Sequence, residues 1–142
     1  MSSADASPVR DAPAATGVRG VVIAHGPMAR AMVDAVRRIA GGAADALHPL
    51  SNDGKSPVEL RAALDDLMGD GPVVVFVDLQ AGSCGMAALS SCRDQARRVV
   101  VCGVNLPMLL DFVFHRELPI DEVVSRAIEK GRSSITAPLR GD

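Results

Sequence analysis

The sequence predicts an α/β fold: a doubly wound, mainly parallel four-stranded sheet with helices on both faces. Three observations carry that prediction. From Val18 onward, short apolar runs alternate with amphipathic stretches, the pattern of β-α-β units. Two runs, Gly20-Val21-Val22-Ile23-Ala24 and Pro72-Val73-Val74-Val75-Phe76-Val77, are apolar throughout, as strands covered on both faces are. Each ends on a titratable residue, His25 or Asp78, and then enters a glycine-containing turn. Open α/β sheets place their sites among such turns, at the carboxyl edge of the strands.

Taken in order, residues 1–17 are rich in Ala, Ser, Pro and Asp and lack periodicity, so a disordered tail is expected before a single domain over residues 18–142. The first strand spans about 18–24. Met28, Met32, Val36 and Ile39 then mark one face of a helix that ends at Gly41-Gly42. A weaker strand follows at about 45–50. Ser56-Pro57-Val58-Glu59 reads as a capping box with proline at the first helical position, and Leu60, Leu64 and Leu67 supply the stripe. The third strand covers 72–78. A helix built on small residues (Ala87, Ala88, Ser90, Ser91, Cys92) spans about 83–96. The fourth strand is Val99–Gly103, and a helix runs from the Asn105-Leu106-Pro107 turn to about Phe114. The last helix, about 120–130, turns Ile120, Val123, Val124, Ala127 and Ile128 inward and stops at Gly131. Residues 133–139 could add one short edge strand, since Pro138 bars them from the interior. Right-handed crossovers and two fully apolar central strands give the order 2-1-3-4, which sets His25 and Asp78 face to face at the switch point.

Composition removes several classes of function. The net charge is −2 with both signs interspersed, and no basic footprint for nucleic acid exists. Three Phe and no Tyr or Trp leave no base-stacking platform. No apolar run approaches the roughly 18 residues of a membrane span. The first 17 residues carry Asp5, Arg10 and Asp11 and no signal-peptide core, and the three cysteines, Cys84, Cys92 and Cys102, form no CxxC pair. A cytoplasmic protein with reduced thiols is expected. No His/Cys/Asp group has metal-ligand spacing along the chain, and no cofactor is expected.

The chemistry rests on His25 and Asp78. A carboxylate that accepts a hydrogen bond from one imidazole nitrogen fixes the tautomer and leaves the other nitrogen as nucleophile or base. It also stabilises the positive charge that develops when the ring is acylated or phosphorylated. Gly82-Ser83 opens a helix, where free N–H groups and the dipole attract anions. Together these describe a phosphohistidine site.

Three blocks, Val21-Val22-Ile23-Ala24-His25-Gly26, Val75 to Ser83, and Val101-Cys102-Gly103-Val104-Asn105-Leu106-Pro107-Met108-Leu109, resemble the mannose-family IIA component of the bacterial phosphoenolpyruvate-dependent sugar phosphotransferase system. The likeness covers about residues 18–133, and the Gly-Val-Asn-Leu-Pro-Met-Leu block is its most specific part. It implies a phosphocarrier: His25 takes a phosphoryl group from the phosphocarrier HPr and passes it to a separate IIB protein. It further implies that Asp78 orients the ring, that Gly82 and Ser83 lie in the phosphoryl-binding turn, and that Asn105 and Pro107 shape the rim. A homodimer exchanging a C-terminal strand is implied as well. The chain departs from the usual aromatic-Gly-Gly-Ser-Pro run, having Gln80-Ala81-Gly82-Ser83-Cys84, and Pro27 stands where transporters often carry a bulky residue. A regulatory relay protein without its own sugar permease is the alternative.

Three rival chemistries use other residues. Ala81-Gly82-Ser83-Cys84-Gly85 approximates a nucleophile elbow, which would need Asp94 or Asp111 with His115. Cys84 at a helix start could be an activated thiol. A receiver-like binding module would use Asp78 as phosphoacceptor, but His25-Gly26-Pro27 stands where its acidic pair belongs. His48 and His115 read as surface residues, and Cys92 and Cys102 as core.

Overall fold

The computed structural model describes residues 17–93 and 96–140. Apart from Gly17, the expected tail lies outside the described residues. Strands β1 (Arg19–Ala24), β2 (Leu47–Ser51), β3 (Val73–Val77) and β4 (Arg98–Cys102) form one sheet in the order β2-β1-β3-β4. Every pairing is parallel. The two all-apolar strands are central and the weak second strand is at an edge, as the sequence predicts.

Side-chain alternation splits the core between two faces. Val22 and Ala24 of β1 and Val74 and Phe76 of β3 join one cluster, which takes in Val33 and Val36, Leu109 and Phe112, and Val123 and Ala127. These belong to α1 (Met28–Ala40), α4 (Leu106–Val113) and α5 (Ile120–Ser133). The rings of Phe76 and Phe112 meet edge to face with centroids 5.1 Å apart. Val21 and Ile23, with Val73, Val75 and Val77, point the other way, onto Leu60 and Leu64 of α2 (Pro57–Met68) and Ala88 of α3 (Ser83–Cys92). Arg19 locks the far end of α2 by donating to the carbonyls of Leu67 and Met68.

Local signals hold at the helix starts. Ser56 and Glu59 complete the capping box, with Pro57 at the first helical position. Asn105 caps α4 by accepting from the Met108 N–H at 3.1 Å.

Three expectations change. The buried row of α1 is Ala29, Val33 and Val36, while Met28 and Ile39 are 40% and 63% exposed. Apolar residues at 28, 29, 32, 33, 36 and 39 allow two phases, and the crossing over the sheet selects one. Helix α3 ends at Cys92 and not near 96, because Arg93 leaves the helix with φ −61° and ψ 135° on the way to β4. Finally, residues 133–139 add no strand: α5 runs through Gly131 to Ser133, and Pro138 opens a short 3₁₀ turn, Pro138–Arg140. Gly131 does not stop α5. It lets the helix approach α4, where an added Cβ would stand 2.8 Å from Met108 Cε.

Candidate functional site

Register sets the site. Ile23 pairs with Val77, so each of the two central strands ends just before its polar residue. The His25 backbone N–H donates to Asp78 Oδ2 at 3.0 Å, and the ring Nδ1 lies 2.8 Å from the same oxygen. A carboxylate can only accept, so Nδ1 carries the hydrogen. Asp78 Oδ1 accepts from the Leu79 N–H at 2.9 Å. The Asp78 side chain is only 5% exposed, whereas that of His25 is 42% exposed. One group is therefore a fixed support and the other is presented to solvent.

The free ring nitrogen faces the turn before α3. A Cβ built on Gly82 would stand 3.4 Å from both Nε2 and Cε1 of His25. Gly82 has φ +99°, a conformation that disfavours side chains, and it is the position of this turn that remains glycine despite Ala81 beside it. Ser83, exposed, is the first residue of α3. The three residues His25, Gly82 and Ser83 thus gather where Nε2 meets a helix N-terminus.

Burial alone would raise the carboxyl of Asp78. Bonds from the His25 backbone, the His25 ring and the Leu79 N–H, with the charge of His25, outweigh it and hold the group below the ordinary carboxylate range. A lowered folded-state value stabilises the fold above the unfolded value of about 4, and that contribution is lost as pH falls through the lower value. The melting temperature of the wild type should therefore drop more steeply below about pH 4 than that of Asp78→Asn. Parallel curves would show that the carboxylate contributes nothing to acid sensitivity.

Asn105 closes the β4–α4 connection, which Val77 O anchors through the N–H groups of Gly103 and Val104, and Pro107 stands in the first turn of α4 at the same sheet edge. The Asn105 side chain is occupied within the scaffold, capping α4 and donating to Gly131 O at 3.0 Å. Sequence reasoning passed over Asn52. Its Oδ1 accepts from the Gly26 N–H at 3.1 Å and its Nδ2 donates to Ser83 Oγ at 3.4 Å. In the sequence it is one polar residue of the turn after β2, with no periodicity to mark it. Gly85, the last residue of the elbow pattern, sits against the Gln80 carbonyl.

His25, Asp78 and Cys84 bring ligand atoms within 4.8 Å of one another, a metal-like grouping that chain spacing does not show. Nδ1 and Oδ2 already bond each other, and burial, then the charge of Asp78, pushes the Cys84 thiol up against a weaker opposing bond from Ser83. A thiol pushed up in this way under the turn is the reverse of an activated one.

The elbow reading fails on placement. His115 follows α4 at the opposite, amino edge of the sheet, where Arg116 O accepts from the Val18 N–H, and its ring engages Asp111 and Arg126. Asp94 lies outside the described residues. His48 is half-buried in β2, its pKa lowered by burial and then by Arg19. Cys92 is core as expected, pushed up to about 11 mainly by burial, while Cys102 is only half-buried.

A model of the family described as the fructose IIA component of the PTS system matches residues 20–128. The chain belongs to this family. A solved phosphotransferase system component EIIA from Streptococcus agalactiae shares the fold with TM-score 0.80 and 22% identity, over 87% of this chain and 98% of that one. The mannose/sorbose-specific IIA subunit from Enterococcus faecalis is similar at TM-score 0.77 and 23% identity, covering 86% and 95%. A sigma-54 interaction domain protein from Enterococcus faecalis has the same fold at TM-score 0.69 and 11% identity, covering 84% and 94%. No curated protein sequence matches significantly. Among the described residues of this IIA-family chain, no helix is long and apolar enough to cross a membrane.

Proposed function

We propose that this IIA-family protein is a cytoplasmic phosphocarrier that takes a phosphoryl group from phospho-HPr on His25 Nε2 and delivers it to a separate IIB protein in sugar uptake. The observation that carries the reading is the bond between His25 Nδ1 and Asp78 Oδ2, which leaves Nε2 exposed beside Gly82. The Nε2 lone pair attacks phosphorus as the P–N bond of the donor breaks, and that bond's electron pair returns to the HPr ring nitrogen. Asp78 holds the Nδ1 proton and balances the charge the ring acquires. Ser83 and the neighbouring amides at the start of α3 receive the phosphoryl oxygens. Positioning and charge stabilisation supply the catalysis, as phosphoryl transfer requires. The step then reverses toward a histidine of IIB.

A groove of about 740 Å³ between α2 and α3 opens beside Gly82 and Ser83, with Val58 and Met86 exposed along it. It offers a partner apolar contact next to the reacting nitrogen. A homodimer that exchanges a C-terminal strand, as the family likeness implies, is part of this reading. The fold shared with a sigma-54 interaction domain protein favours regulatory output as the second reading.

Intact-mass measurement after incubation with phosphoenolpyruvate, enzyme I and HPr tests the proposal. One acid-labile phosphoryl group on the wild type and none on His25→Ala is the expected result. An unlabelled, folded wild type would overturn it.

A further inference from the structure

We propose that Asn52 is a positioning residue for phosphoryl transfer, setting the Ser83 hydroxyl and the Gly26 amide around His25; this rests on the phosphocarrier reading. Asn52 directly follows the last residue of β2 and reaches across the carboxyl edge to the turns after β1 and β3. The Gly26 N–H can only donate, so the amide oxygen of Asn52 must face it, at 3.1 Å. That orientation turns the NH₂ group toward Ser83 Oγ, at 3.4 Å. A hydroxyl that accepts through its oxygen keeps its own hydrogen to give. Asn52 thereby makes Ser83 a donor, and the acceptor that phosphorylation brings to this edge is a phosphoryl oxygen on Nε2.

The second bond acts on the nucleophile. Gly26 has φ +59°, and a Cβ there would meet nothing within 4 Å, so packing does not hold the turn. The bonds to Asn52 and Asp78 hold the backbone on either side of the His25 ring. One side chain from just past a third strand thus couples the nucleophile's turn to the phosphoryl-binding turn. Asn52 reaches the reacting nitrogen through Gly26 and Ser83 alone.

The test compares wild type, Asn52→Ala, Ser83→Ala and the double variant, each phosphorylated by phospho-HPr and, separately, by phosphoramidate, a small donor that needs no docking. Asn52→Ala should slow labelling of His25 about tenfold with either donor, with its melting temperature unchanged. In the Ser83→Ala background the same substitution should cost far less, because the hydroxyl it orients is gone. Asn52→Asp keeps the acceptor for Gly26 and loses the donor to Ser83, so it too should be slow. Equal rates in wild type and Asn52→Ala, or fully additive losses in the double variant, would overturn the proposal. Labelling by phosphoramidate that depends on Asn52, with none from HPr, would uphold the positioning role and sink the HPr relay.

Discussion

Replacing Asp78 by Asn should leave a folded protein that accepts a phosphoryl group about 100-fold more slowly or worse, approaching the floor set by His25→Ala. The reason lies in the count of donors. Asp78 Oδ2 accepts from the His25 N–H and from Nδ1, and Oδ1 accepts from the Leu79 N–H. An asparagine has one acceptor oxygen for these two directions. If its oxygen stays on the His25 side, its NH₂ group confronts the Leu79 N–H. If it flips, two donors of His25 lose their acceptor. Each N–H left unpaired at this nearly buried position costs about 1–3 kcal/mol. In the flipped form the imidazole is free to carry its hydrogen on Nε2, which removes the lone pair that attacks phosphorus. Carboxylate-to-amide changes that reset a tautomer in this way cost up to about 10⁴ in rate. Initial rates from phospho-HPr, with the ¹⁵N shifts of the His25 ring, separate the effects. A rate within about twofold of wild type would remove Asp78 from its orienting role.

Most of the fold was legible because it rests on patterns that repeat. The runs Val21–Ala24 and Val73–Val77 are apolar at every position, which only strands covered on both faces need, and that placed them at the centre. The capping box at Ser56 and the cap at Asn105 depend on residues within three positions, so they too could be read along the chain. His25 and Asp78 were legible as a pair because two parallel strands ending on titratable residues must bring them to one edge. What escaped were single residues whose meaning depends on a contact far along the chain. Asn52 touches Gly26 and Ser83, 26 and 31 positions away, and nothing local distinguishes it from a turn residue. The phase of α1 escaped for a related reason: the apolar stripe is wide enough for two faces, and only docking on the sheet chooses.

Gly85 shows how far a local rule can mislead, and Gly85→Ala should be the most destabilising single change in this region. Helix propensity alone favours alanine by about 1 kcal/mol. Yet a Cβ at Gly85 would stand 1.9 Å from Gln80 O, 2.6 Å from Gln80 C and 3.1 Å from Leu79 O. These are backbone atoms of the turn that follows Asp78, so no rotamer change relieves the overlap. Either α3 lifts off β3 or the turn shifts, and both alternatives move Gly82 and Ser83 relative to His25. The expected cost is about 3 kcal/mol or more, beyond the propensity gain, which lowers the melting temperature by on the order of 10 °C. Gly42→Ala is the control, since a Cβ there meets nothing within 4 Å and the backbone does not require glycine. It should melt at or slightly above the wild type. If Gly85→Ala melts with Gly42→Ala, the turn does not pack against α3 as described. If it melts low but still labels His25 at the wild-type rate, the strain is absorbed by α3, and the turn of Gly82 and Ser83 is held by Asp78 and Asn52 more firmly than by the helix beneath it.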